Sequence, residues 1–407
     1  MSAAVVTYGL VGGILKRVPA RDDPYGQLSI FTDVLNKVET EYVEVPDIAR
    51  AMDGALHGMM EALDPYSSFV GSATYQELAP AHSMAASPGL VLSKRYGYIQ
   101  VVTTLPESPA EKAGLRKGDL IESINNLATT GMSLWEAQAR LRGPAQSSVK
   151  LRVVRARRSQ PTEVTLVRSE MTRPEVSAGL PEPTIGLLRI PAFEGGVADQ
   201  VAAKLKLLKS SSIRGLLVDI RGNAQGSIDE AAKAADLFLA KGGRILSLKD
   251  RAGTSLELAS LSEPLLVDVP IVLLVDGGTS RAAEAFGSAL RDNGVASVVG
   301  EKTNGCGSVQ KRFTLTDGSV VFISTQLIFR PSGKPLQAAS LRESGIDPDT
   351  RSPSREFVTS FYFANTPDHP SDDLGDDFYR KLDKAIDEEQ LKSGLELIRE
   401  KVSRKAA

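Results

Sequence analysis

The side chains of this sequence best suited to attack an amide lie between Val275 and Lys311: the hydroxyl of Ser280, the thiol of Cys306 and the amines of Lys302 and Lys311, with Glu284 and Gln310 nearby. Peptide hydrolysis by a hydroxyl needs a neutral amine to take its proton and donors for the oxyanion. Beside the hydroxyl stands Arg281, whose guanidinium stays protonated and only donates hydrogen bonds. Ser280 precedes an apolar helical run, where serine commonly caps the helix, and one residue of helix is about 100° of rotation. Lys302 and Lys311 read as solvated charges rather than desolvated bases. Cys306 is the only cysteine, and His57, His82 and His369 are widely spaced. That excludes intramolecular disulfides and leaves no ligand pattern for a metal, so no metal and no cofactor are expected.

The elements that must hold these groups are legible in outline. At 407 residues with 42% hydrophobic content the chain exceeds one hydrophobic core, so two or three domains are expected. With 48 basic and 50 acidic residues it has no net field for nucleic acid or anionic membrane, and the pair Arg157-Arg158 reads as a solvated loop. Residues 1–24 form an N-terminal segment whose mostly apolar run, Ala3 to Leu15, is too short to span a bilayer and is followed by Lys16-Arg17; the segment reads either as a remnant of a signal or anchor or as a buried local segment. A helical region follows over 25–85, in which Ile48, Met52, Leu56, Met59 and Leu63 share a face behind Pro46-Asp47.

Over 86–170 the pattern turns β-rich. Tyr98–Val102, Val149–Val154 and Glu163–Val167 predict strands, and Ser108–Leu115 a short capped helix. Over 171–351, past the Pro174 to Pro183 junction, strands and helices alternate. The apolar runs Ile185–Ile190, Gly215–Ile220 and Ile271–Val275 predict a largely parallel sheet covered on both faces, and Val197–Lys209 and Ile228–Leu239 its helices. Over 352–407, Phe378, Leu382, Ala385 and Ile386, then Leu391, Leu395, Ile398 and Val402, fall on helical stripes. Asp372–Asp377 reads as a solvated linker.

Three strings carry a resemblance. Leu63-Asp-Pro-Tyr-Ser-Ser-Phe69, Val275-Asp-Gly-Gly-Thr-Ser-Arg-Ala-Ala-Glu284 and Gly300-Glu-Lys-Thr-Asn-Gly-Cys-Gly-Ser-Val-Gln310 resemble the carboxyl-terminal processing (tail-specific) serine peptidases. The 86–170 region is similar to a PDZ domain. The resemblance implies an α/β multidomain fold: a helical N-terminal region, a PDZ domain, a β-α spiral core of the Clp-protease and crotonase type, and a helical tail. In that family the nucleophilic Ser lies three residues before the Glu, the Lys base 25 beyond the Ser, and a Gln four after the Lys. Those positions are held here by Arg281, Cys306 and Gln310. The family's oxyanion loop Asn-Pro-Gly-Gly corresponds to Asn223-Ala-Gln-Gly226, keeping Asn223 and Gly226 with Gln225 in place of a glycine.

The resemblance therefore implies a catalytically degenerate member that binds protein or peptide C-termini, with Gly89, Leu90 and Val91 at the carboxylate end of a PDZ groove. Two alternatives stand beside it: an active peptidase with a rewired site using Ser280 or Cys306, and a structural or chaperone-like subunit associating through terminal helices as a homo-oligomer. An extracytoplasmic location is implied by the family, with membrane anchoring left open. Arg281 is expected either to receive a partner's carboxylate or to pair with an internal acid such as Glu284.

Overall fold

The computed structural model describes residues 26–95, 97–155, 160–171, 174–253, 255–340, 342–354, 358 and 375–406. The N-terminal segment, Arg157-Arg158 and His369 lie outside them. The chain divides into two compact units, one up to Leu56 and one from His57 onward. In the first, α1 (Gly26–Glu41) leaves Leu28, Ile30, Phe31 and Val34 exposed. Helix α2 (Ile48–Glu61) starts where Pro46-Asp47 predicts, with the Asp47 carboxylate accepting the Arg50 N–H at 3.0 Å. Among the described residues no helix is long and apolar enough to cross a membrane.

The second unit opens with β1 (Ser68–Val70) and α3 (Ser72–His82), then enters the PDZ fold. That domain runs β2 (Leu90–Arg95), β3 (Tyr98–Thr104), α4 (Pro109–Lys112), β4 (Leu120–Ile124), β5 (Leu127–Ala128), α5 (Leu134–Leu141), β6 (Ser148–Val154) and β7 (Thr162–Val167). Its antiparallel sheet has the order β2-β3-β4-β6-β7, with β5 beside β4. Along β6, Val149, Leu151 and Val153 point inward between exposed neighbours, the period-two alternation of a half-buried strand. They pack with Ile99, Ile121 and Ile124. Ser108 caps α4 by accepting the Glu111 N–H, as its sequence suggests.

The peptidase-like core follows: β8 (Ser177–Glu182), β9 (Ile185–Arg189), α6 (Val197–Ser210), β10 (Gly215–Asp219), α7 (Ile228–Asp236), β11 (Arg244–Asp250), β12 (Ser255–Ala259), β13 (Ile271–Val275), α8 (Ala282–Asp292), β14 (Ala296–Gly300), β15 (Ser308–Thr314), β16 (Val320–Phe329), β17 (Thr350–Arg351) and α9 (Gly375–Ala406). One sheet has the order β17-β14-β13-β10-β9-β8, parallel throughout except for β8. Every residue of β10 and β13 is buried, because alternate side chains enter two separate cores. Leu216, Val218 and Leu273 face the core that holds α6, α7 and α8. Leu217, Val272 and Leu274 face Ile398 of α9.

Three features depart from the sequence reading. Ser177–Glu182 is a strand inside the Pro-rich junction. A second sheet, antiparallel in the order β1-β16-β11-β12 with β15 on β16, joins residues more than 250 positions apart, Ser68 opposite Phe322. The two C-terminal stripes belong to one 32-residue helix, which begins at Gly375 and so takes in the end of the expected acidic linker, whose residues 372–374 lie outside the described set.

Candidate active site

Arg281 sits on the turn between β13 and α8, with φ 53° and ψ −110°, a backbone conformation rare for a residue with a Cβ. Glu284 holds it there. This glutamate is fully buried, and its two oxygens accept four hydrogen bonds. Oε2 takes the N–H of Arg281 and of Cys306, both at 3.0 Å, and Oε1 takes the N–H of Gly305 at 2.6 Å and the Thr303 hydroxyl at 2.5 Å. Thr303 in turn accepts the Ile346 N–H, so its own proton points at Glu284. Burial pushes the Glu284 pKa up while the four donors pull it down, the net shift being upward. A set made only of donors matches an ionised carboxylate. One buried side chain thus ties the Arg281 turn to the Cys306 loop.

This corrects two sequence expectations. Arg281 itself occupies the N-cap position of α8, so Ser280 is not the cap. The carboxylate of Glu284 is spent on backbone and hydroxyl donors around Arg281 rather than on its guanidinium. The guanidinium lies within hydrogen-bonding reach of Cys306, which raises its pKa against the opposing effect of burial. Arg281 is open to solvent, yet protein crowds its guanidinium as in an interior. Its exposure to solvent screens the charge.

Ser280 is 3% exposed, and its hydroxyl accepts a hydrogen bond from Asn304 Nδ2 at 3.0 Å. Its N–H donates to the Asn223 carbonyl, bringing the Asn223 loop alongside. In that loop Gly222 N–H binds Asp276 at 2.8 Å, Asn223 N–H binds the Ile220 carbonyl at 3.3 Å, and the Asn223 side-chain N–H binds the Ile190 carbonyl at 2.9 Å. With the Arg281 N–H held by Glu284, these groups are engaged inside the protein rather than aimed at a developing oxyanion. Gln225 offers its carbonyl to Phe193 N–H, and Gly226, at φ 110°, is required because a Cβ there would fall 2.0 Å from the Phe193 carbonyl oxygen.

Cys306 is buried. It meets Tyr66, which the sequence reading did not assign to the site; burial, then the neighbouring Cys306, pushes the phenol pKa upward. The signal was in the Asp64-Pro-Tyr-Ser-Ser-Phe69 string. Asp64 accepts the N–H groups of Tyr66 and Ser67 and the Ser67 hydroxyl in a tight turn, and Ser67 Oγ accepts Ser324 N–H of β16. Gln310 is exposed on β15, opposite Ser324. Lys302 binds Asp347 at 3.3 Å and the Arg342 carbonyl, and Lys311 is exposed on β15.

The chain as a whole has known relatives. The peptidase family S41 pattern matches residues 184–352, and a PDZ domain pattern matches residues 100–155. The chain is 29% identical over 330 residues to a carboxy-terminal-processing protease of Bartonella bacilliformis, covering 80% of this chain and 75% of that protein. It is 28% identical over 353 residues to the carboxy-terminal processing protease CtpA of Bacillus subtilis, covering 84% and 73%. This chain carries a peptidase family S41 domain beside a PDZ domain, and its relatives are carboxy-terminal processing proteases. Among solved structures the photosystem II D1 C-terminal processing protease superposes with a TM-score of 0.65 at 24% identity, covering 79% of this chain and 92% of that one, which shows the shared fold.

In this chain the PDZ residues named from sequence come together at one sheet edge. Strand β2, which contains Leu90 and Val91, ends the sheet order. Gly89 precedes it at φ 81°, where a Cβ would sit 2.3 Å from Ser108 Cβ. Its N–H reaches Ser87 Oγ at 3.3 Å, and its carbonyl accepts Leu105 N–H at 2.8 Å.

Proposed function

We propose that this chain binds protein C-termini without cleaving them. The observation that carries the reading is the side chain on the strained turn at the head of α8: Arg281, which has no nucleophilic atom. The hydroxyl of the preceding residue, Ser280, is buried and committed to Asn304. The thiol of Cys306 is buried against Tyr66 and Arg281, and Lys302 is occupied at Asp347. The N–H groups of Gly222, Asn223, Ser280 and Arg281 already have acceptors inside the protein, and an oxyanion donor withdrawn in this way costs about 10²- to 10³-fold in rate. Binding is assigned to the free edge of β2, where an extended chain adds as a strand and its terminal carboxylate meets the Gly89-Leu90-Val91 turn. Self-association is proposed for α1, whose apolar residues Leu28, Ile30, Phe31 and Val34 are exposed. An extracytoplasmic location is proposed from the family alone.

The test is incubation of the purified chain with an unfolded protein ending in an apolar tail, read by mass spectrometry and by titration calorimetry. Saturable binding to the free-acid tail, weaker binding to its C-terminal amide and no fragments are expected. Fragments that vanish in Ser280→Ala or Cys306→Ala would overturn the reading in favour of a rewired peptidase. Equal affinity for acid and amide would overturn the carboxylate mode.

A further inference from the structure

Helix α9 has two halves of different character. From Leu391 onward it is rooted in the parallel sheet, with Ile398 fully buried against Leu217, Val272 and Leu274. Two glycines allow the close approach. A Cβ on Gly394 would lie 2.7 Å from Leu274 Cδ2, and one on Gly215 2.7 Å from Ile398 Cγ1. The preceding segment, Phe378–Gln390, buries only Ile386 and Gln390 among its side chains.

That segment bridges from the sheet to the PDZ domain through polar contacts. Arg221 Nη1 donates to the Asp387 carbonyl at 2.9 Å and to Gln390 Oε1 at 3.2 Å, and Gln390 Nε2 donates to Glu301 at 3.3 Å. At the far end the Arg116 guanidinium stands 4.9 Å from the centre of the Tyr379 ring and 3.9 Å from the Asp383 carboxylate. Beneath the segment lies a cleft of about 730 Å³, with Gly222 and Asp276 in its wall. Gly222 opens the Asn223 loop, and the residue before it is Arg221, which also clasps Asp219 through Nε and Nη2 at 3.0 and 2.8 Å.

We propose that Phe378–Gln390 is a releasable strap over this cleft, and that its release loosens the Asn223 loop through Arg221 while the root of α9 stays docked. The two halves answer to different forces. Apolar burial at the root gains about 25 cal/mol per Å² and is indifferent to moderate salt. Partly exposed ion pairs on the strap contribute about 0–1 kcal/mol each and weaken as the Debye length shrinks from about 10 Å at 0.1 M salt to about 3 Å at 1 M. Local opening therefore costs far less than undocking the helix. Release also strips Arg221 of two of its acceptors, the Asp387 carbonyl and Gln390 Oε1, leaving Asp219 to hold it.

Hydrogen exchange of the full chain tests this, at low and high potassium chloride and in the double variant Tyr379→Ala, Gln390→Ala. Alanine raises helix propensity, so faster exchange in the variant reports lost contacts rather than a weaker helix. Exchange across residues 378–390 is expected to quicken roughly tenfold in high salt and in the variant. Residues 221–226 are expected to follow, and residues 391–402 to stay protected. The proposal is overturned if residues 378–390 never exchange faster than 391–402, if both halves loosen together, or if the strap opens while residues 221–226 keep their protection. The salt series uses the unaltered chain, so a poorly folding variant leaves the proposal open to refutation.

Discussion

Replacing Glu284 by glutamine tests the clamp that organises the site. Each carboxylate oxygen accepts two hydrogen bonds, Oε2 from the Arg281 and Cys306 amides and Oε1 from the Gly305 amide and Thr303 hydroxyl. An amide keeps one accepting oxygen and turns the other into an NH₂ group. Whichever way it is oriented, two donors then face a donor inside a fully buried pocket. At about 1–3 kcal/mol for each buried donor left without an acceptor, the loss is about 2–6 kcal/mol. Urea unfolding followed by Trp135, the single tryptophan, which stacks on Tyr75, His82 and Phe322, reads the global effect. Hydrogen exchange at the Gly305 and Cys306 amides reads the local one. A loss below about 1 kcal/mol would refute the ionised clamp, because glutamine closely mimics the protonated acid and would then be nearly neutral.

Two further expectations follow from the same geometry. Asp219 is buried, which alone would raise its pKa, but hydrogen bonds and charge from Arg221 and the charge of Arg189 depress it; Asp292 is depressed likewise by Arg330 and Ser332. Their contribution is therefore complete above the unfolded value of about 3.9 and is lost as pH falls below it through their lower folded values. The stability gap between wild type and Asp219→Asn, from urea midpoints across that range, is expected to narrow with falling pH, and a constant gap refutes the assignment. Gly89→Val places a branched side chain at φ 81° against Ser108; a loss of at least about 2 kcal/mol and disappearance of C-terminal peptide binding are expected, checked by unfolding and calorimetry.

Much of the scaffold was legible because its signals are local. The apolar runs of β10 and β13 need both faces covered, and the structure covers them with α6 to α8 on one side and α9 on the other. Ser108 before Pro109 announced a capped helix and became one. The second sheet was not legible, because Ser68 opposite Phe322 is a contact that no local periodicity encodes. The entry of Tyr66 into the site depends on that same long-range pairing, for Ser67 is tied to β16. At the site the sequence located Arg281, Glu284 and Cys306 but not their roles. A Ser beside a helix start is ordinarily its cap. Here the glutamate three residues into the helix reaches back to the Arg281 N–H, which moves the helix start by one residue.

The Arg281 turn sets two costs against each other. A residue with a Cβ at φ 53° and ψ −110° carries strain on the order of 1–3 kcal/mol, and nothing in an arginine side chain favours that conformation over the common ones. The strain persists because Glu284 holds the Arg281 amide from within the helix while gripping Gly305 and Cys306 on the facing loop. Relaxing the turn would leave a buried carboxylate short of a donor. Side-chain chemistry at position 281 is thus separable from the backbone that presents it, and the Glu284 clamp can support the same bend whether the turn carries a guanidinium or a hydroxyl.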